Sequence, residues 1–181
     1  MRFLALLLAA ILFAAPAHAT QTDPALEQLF TRLQATRDAG EGEALQGAIW
    51  KAWTLTEDKE AARMMAIGII AMGQDRLDDA LSTFDALVDA APDFAEAWNK
   101  RATVHYLMGN LDASVADIEK TLALEPRHFG ALSGLGLIYQ EVEKWDAALR
   151  AFEAALKVNP HMPTVRANIE VLKQKSKEST R

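Results

Sequence analysis

The chain has 181 residues, half of them apolar and about a quarter charged, with a formal net charge of −6 and no cysteine. That balance fits one ordinary soluble domain and argues against nucleic acid, because phosphate binding needs a basic stripe and none is visible. Without cysteine there are no disulfides, thiolate nucleophiles, thiolate metal ligands or cysteine-linked lipid anchor, so packing alone must hold the fold.

Arg2 precedes an unbroken apolar run, Phe3 to Ala15, followed by Pro16 and Ala17-His18-Ala19. A basic start, a short apolar stretch and an Ala-x-Ala ending predict a secretory signal over residues 1–19, cleaved after Ala19. As a helix that run spans roughly 20 Å, short of a ~30 Å hydrocarbon core. No second long apolar run follows, so the expected destination is a soluble exported space, the periplasm in a Gram-negative source.

Asp23-Pro24 predicts a helix start, since Asp accepts from unpaired N–H groups and Pro at the first helical position loses nothing. Leu26, Leu29, Phe30 and Leu33 form its apolar stripe, and Gly40 and Gly42 are expected to break it. Leu45, Ile49, Trp50 and Trp53 make a second stripe. This atypical pair, residues 20–60, is expected to cap the helices that follow, with both tryptophans packed against the next pair. The alternative is that the helix from Ala25 to Thr36 folds back over Met65, Ile69 and Met72.

Ala61 to Met72 is apolar nearly all round, so that helix is buried on both sides or offers apolar surface to a partner. Its companion runs from Leu77 to about Ala90, and Ala91-Pro92-Asp93 turns the chain. Asp93 with Glu96 has the form of a capping box. Arg101 and His105 then lie four apart on one helical face, and a buried guanidinium requires a partner. Gly134-x-Gly136 is no dinucleotide loop, because no strand precedes it; with Gly130 it marks close helix approach. From Pro163, apolar Val165, Ile169 and Leu172 alternate with polar residues in a terminal capping helix. Lys173, Lys175, Lys177 and Arg181 read as a solvated, frayed end.

Three prolines, Pro92, Pro126 and Pro160, fall 34 residues apart each time (126 minus 92, 160 minus 126). Ala80, Ser114 and Ala148 share one register of that period, Phe84, Ile118 and Phe152 a second, and Gly68, Ala102 and Gly136 a third. A fixed period of this length marks a solenoid of stacked units. With Trp98, Leu132-x-x-Leu135-Gly136-x-x-Tyr139, Ala148-x-x-x-Phe152 and Pro160, the pattern resembles the tetratricopeptide repeat. Residues 129–162 match nearly throughout. Residues 95–128 depart at Arg101 and His105, and residues 61–94 carry Met64 and Ala71 for the two aromatics.

The resemblance implies an all-α TPR α-solenoid, a right-handed superhelix of antiparallel helix pairs with about nine helices after the signal. Units at 61–94, 95–128 and 129–162 would be closed by the helix and tail of 163–181. Some family members pair Arg and Asp at two of these registers, which implies an Arg101–Asp117 ion pair; the rival is an anion or catalytic site at Arg101 and His105. In the family the first helix of each unit lines a concave groove. Carried over, its groove residues are Met65, Ile69 and Met72, then Asn99, Thr103 and Tyr106, then Ser133, Leu137 and Gln140.

Chemistry has little purchase. His105, His128 and His161 are spread along the array, no Gly-x-Ser-x-Gly is present, and Glu141 and Glu143 sit on different helix faces. No enzyme, metal or cofactor is expected. The function implied is a periplasmic module that holds a protein or peptide segment in its groove, as scaffold or assembly factor. The alternatives are a binder of a small ligand or cell-wall fragment through Asn99, Tyr106 and Gln140, or a non-catalytic subunit of an enzyme complex.

Overall fold

The computed structural model describes residues 24–179. The signal read over residues 1–19, its cleavage point and the cap at Asp23 lie outside the described residues. Within them are nine helices and no strand: α1 (Pro24–Ala35), α2 (Ala39–Thr54), α3 (Lys59–Gly73), α4 (Leu77–Ala90), α5 (Ala95–Leu107), α6 (Leu111–Leu124), α7 (Phe129–Glu141), α8 (Trp145–Val158) and α9 (Pro163–Ser179). None of these helices is long and apolar enough to cross a membrane.

Helices α3 to α8 form three hairpins, stacked so that α4 packs on α5 and α6 on α7, with α9 laid on α8. Each hairpin closes through one residue in the left-handed region: Asp75 at φ 57°, Gly109 at 77° and Glu143 at 57°. The following amide then reaches back over the helix end, Arg76 N to Ala71 O at 2.9 Å, and Asn110 N to His105 O and Lys144 N to Tyr139 O at 2.8 Å. This satisfies carbonyls that a helix terminus would otherwise leave unpaired.

The small-residue register is what lets each hairpin close. A Cβ on Gly68 would stand 2.5 Å from the Phe84 ring, and one on Gly136 2.5 Å from Phe152. In the middle hairpin Ala102 replaces glycine, Ile118 replaces phenylalanine, and Ser114 Oγ donates to the Ala102 carbonyl at 2.7 Å. Phe84, Phe152 and Ile118 each anchor a separate core, and Val165, Ile169 and Leu172 of α9 complete the last one.

Arg101 ties three helices together. Its Nε and Nη2 each donate to an Asp117 oxygen at 2.7 Å, and Nη1 donates to Asp85 of α4 at 2.9 Å. The guanidinium also lies over Trp98, 4.8 Å from the ring centre. The bidentate bond to Asp117 does most to raise its pKa above the ordinary value. With two carboxylates already engaged, it is not an anion site.

Four expectations need correction. Gly40 and Gly42 lie inside α2, and the chain breaks at 36–38 because Asp38 Oδ1 caps the Glu41 amide at 2.7 Å. The Asp93/Glu96 capping box is not formed: Phe94 is the cap of α5, and Glu96 turns inward. The basic C-terminal stretch is solvated at Lys173 and Lys175 as expected but helical through Ser179, with Lys175 4.4 Å above the Trp145 ring, while Arg181 lies outside the described residues. Finally, α1 and α2 do not close the end of the array next to α3, whose Ile67 and Ile70 stay exposed. They fold back instead onto the second and third hairpins.

Candidate functional site

The fold-back is specified by side chains. Leu26, Phe30, Leu33, Leu45, Ile49 and Trp53 make a small core between α1 and α2, completed by Phe129 at the start of α7. Trp53 stacks flat on His128, with ring centres 4.1 Å apart and planes 11° from parallel. Trp50 stands edge-on to Trp53, His128 and Phe129. Gly130 makes room for it, since a Cβ there would meet the indole at 2.5 Å. Polar contacts finish the dock: Arg127 Nη1 to Glu27 Oε2 at 2.6 Å, and Asn159 Nδ2 to Gln46 Oε1 at 2.6 Å.

Beneath the tryptophans is a buried polar cluster. The Ala131 amide donates to His128 Nδ1 at 3.0 Å, so the ring proton sits on Nε2, which donates to Glu96 Oε2 at 2.8 Å. Asn99 Nδ2 donates to the same oxygen at 3.1 Å, and Lys100 Nζ lies 3.0 Å from the other. Burial works to raise the Glu96 pKa, but the carboxyl is held below its ordinary 4.5, with His128 doing most to lower it and Lys100 adding to the effect. Lys100 also lies 5.2 Å from the Trp50 ring centre. The cluster therefore supports the hairpin, and its ammonium is already partnered.

What the hairpin leaves is a trough. Its inner part is a cavity of about 340 Å³ between Gln46 and Trp50 on one side and Asn99, Thr103, Tyr106, Ser133 and Leu137 on the other. Past Gln46, Ser133, Leu137 and Met162 it widens to about 960 Å³ between α2, α7 and α9. Burial, then the Glu141 carboxylate beside it, raises the Tyr106 phenol above its ordinary pKa.

Five of the nine groove residues thus meet in one place: Asn99, Thr103, Tyr106, Ser133 and Leu137. Asn99 is nonetheless committed to Glu96. The other four do not line the trough. Met65 is buried in the first core, Met72 packs against that core, and Ile69 is exposed on α3. Gln140 keeps its Oε1 buried without a hydrogen bond. The apolar α3 face and the trough are separate, because the groove is read through the hairpin that crosses it. Gln46 and Met162 gave no signal in the sequence; Trp50 and Lys100 stood out there, as half of an aromatic pair and as the neighbour of Asn99, but neither is among the expected groove residues. Among the described residues no three His, Asp or Glu side chains are grouped to hold a metal ion.

Family models described as tetratricopeptide repeat match residues 65–128 and 129–162, together more than half of the chain. The chain belongs to the tetratricopeptide repeat family. A TPR repeat-containing protein of Rhizobium etli is 34% identical to this TPR chain over 150 residues, covering 83% of it and 74% of that relative. The DnaJ homolog subfamily C member 3 of Mus musculus is 39% identical over 92 residues, 51% of this chain but only 18% of that protein. Among solved structures, the Sgt2 TPR domain from Aspergillus fumigatus superposes with a TM-score of 0.64 at 22% identity, covering 68% of this TPR chain and 83% of that one. The first TPR of Spaghetti (RPAP3), bound to the HSP90 peptide SRMEEVD, gives 0.63 at 18% identity, with 66% and 94% covered. At these identities the superpositions establish the fold alone.

Proposed function

We propose that this protein is an exported, periplasmic interaction module that holds a segment of a protein partner in the trough between its N-terminal hairpin and helices α5 and α7. The trough itself carries the reading. Thr103, Tyr106, Ser133 and Leu137 bring small, polar and apolar surface together along one cleft, which suits an extended peptide more than a reaction. The solved neighbour bound to an HSP90 peptide supports the reading, since a solenoid of this fold there takes a protein segment. Export rests on the signal read over residues 1–19.

The inner cavity, about 340 Å³, supports a second reading, a small ligand or cell-wall fragment held near Asn99 and Tyr106. In-cell photocrosslinking separates the two. Probes at Thr103, Tyr106 and Leu137 should yield one discrete protein adduct, and probes at exposed Glu119 and Glu153 on α6 and α8 none. Silence at all three trough positions would sink the protein-segment reading.

A further inference from the structure

The stacking that builds the array ends at α3 on a surface shaped like one of its own internal interfaces. Ala97 and Val104 of α5 are buried in the first hairpin's core with Phe84 and Leu87, and Ala131 and Ile138 of α7 in the second's with Ala102 and Ile118. One period earlier those two registers hold Arg63 and Ile70 of α3 (97 minus 34, 104 minus 34), but the hairpin that precedes α3 lies elsewhere, across the array. Ile67 and Ile70 are therefore 41% and 55% exposed, beside exposed Ala66 and Gly73. The opposite end is closed: Val165, Ile169 and Leu172 of α9 are buried with Phe152 and Ala155. A solenoid end is normally given a polar outer face, and an apolar one left open marks an interaction surface.

We propose that this face seats the same face of a second copy, α3 against α3 and antiparallel about a two-fold axis. Because α9 seals the far end, copies cannot stack head to tail, and a face-to-face pair closes on itself without running on into a fibre. The surface is self-complementary. Lys59, Arg63, Ala66, Ile70 and Gly73 are all exposed and follow one another at spacings of four and three, the seam of a helix pair. Set antiparallel, Ile70 of each copy falls opposite Ala66 of the other, and Arg63 opposite Gly73, large against small. Charge agrees with that direction. Asp58 caps the Glu60 and Ala61 amides, Glu60 pairs with Arg63, and Arg76 pairs with Asp79. That leaves Lys59 at the start of α3 and Asp75 and Asp78 beyond its end, so an antiparallel pair brings unlike charges and unlike helix ends together. One 15-residue helix from each copy buries less than the roughly 800 Å² per partner of a standard interface, so the pair should exchange with monomer.

The test is sedimentation of the purified chain from about 1 μM to about 1 mM, with and without residues 1–19. Monomer should give way to dimer, and to nothing larger, as concentration rises. Ile67→Glu and Ile70→Glu should each weaken the dimer at least about tenfold while leaving helix content and Tm nearly unchanged, since both side chains are exposed in the monomer. The chain has no cysteine, so introduced ones report the geometry cleanly. Ile67→Cys, close to the axis, should oxidise to a linked dimer. Arg63→Cys and Gly73→Cys should link to each other when mixed but not each to itself, because its own copy would lie roughly 15 Å away. A Cβ at Gly73 meets nothing within 4 Å, so that variant should fold normally. Monomer at every concentration, a dimer unmoved by both glutamate variants, or a dimer lost on removing residues 1–19 would each overturn the proposal. So would a photocrosslink in cells from Ile70 at a mass other than twice that of the chain, which would give the face to a different protein.

Discussion

Arg127 and His161 occupy the same place in successive turns, 34 residues apart (161 minus 127), and both touch the N-terminal hairpin. Each is set by the same device two residues earlier. Glu125 Oε1 accepts from the Arg127 amide and Asn159 Oδ1 from the His161 amide, both at 2.9 Å. Arg127 then spans to Glu27 and lies 4.3 Å from the Phe30 ring centre, while His161 sits against the Cα of Gly42. The period of the solenoid is thus a ruler against which a non-periodic element is registered. That is why α1 and α2 lie across the array instead of extending it.

The first prediction concerns that dock. Trp53 is fully buried and stacked on His128, so Trp53→Ala should cost about 3–5 kcal/mol, as truncation of a buried aromatic usually does. The loss should be local in character. Hydrogen exchange in α1 and α2 should quicken far more than in α7 and α8. Uniform quickening along the whole chain would mean that the hairpin and the array unfold as one unit.

Much of this was legible beforehand, and the failures have a common cause. Period, helix pairs, the closing glycines and the α9 stripe all follow from short-range spacing, which one sequence displays directly. Gly130 also stood out, but its purpose is to admit Trp50 from a helix about eighty residues away, and no local pattern points that far. Glu96 was read as a capping residue because its spacing from Asp93 fits. Its pull toward His128 exists only once two hairpins are stacked. Met65 followed the family register into the groove and is instead buried with Phe84.

Arg101 offers a sharper test than the simple pair would. Removing it leaves Asp117, almost fully buried, without its two charged hydrogen bonds, so Arg101→Leu should cost about 3–5 kcal/mol. A charge swap between the two residues is a poor probe, because an aspartate in place of Arg101 would face Asp85. The double variant Arg101→Leu with Asp117→Ala should regain most of the loss, since it leaves no stranded charge. Additive losses in chemical denaturation would show that the network contributes through some other contact.

The three closing turns make a matched set. Gly109 adopts a positive φ without strain, whereas Asp75 and Glu143 adopt it at a cost. Gly109→Ala should therefore destabilise by about 1 kcal/mol, with open space around the new methyl excluding any steric explanation. Glu143→Gly should be neutral or raise Tm slightly, the relief of strain being offset in part by a more flexible unfolded chain. A clear drop in Tm for Glu143→Gly would show that the side chain, and not the backbone, secures that turn.

The last prediction follows from Glu96. Its carboxyl is held below the ordinary 4.5, so the unfolded chain takes up this proton more readily than the folded one. The stabilisation is therefore complete at neutral pH, begins to fall as pH drops past about 4.5, and is lost through the lower folded value. Glu96→Gln keeps an acceptor for His128 but removes the charge, and should reduce stability at pH 7 by about 1–3 kcal/mol. The two proteins should then converge as pH falls below 4.5, in denaturant midpoints measured at successive pH values. Parallel curves down to the acid limit would mean that Glu96 is already protonated in the folded chain, and that the hairpin rests on a neutral cluster.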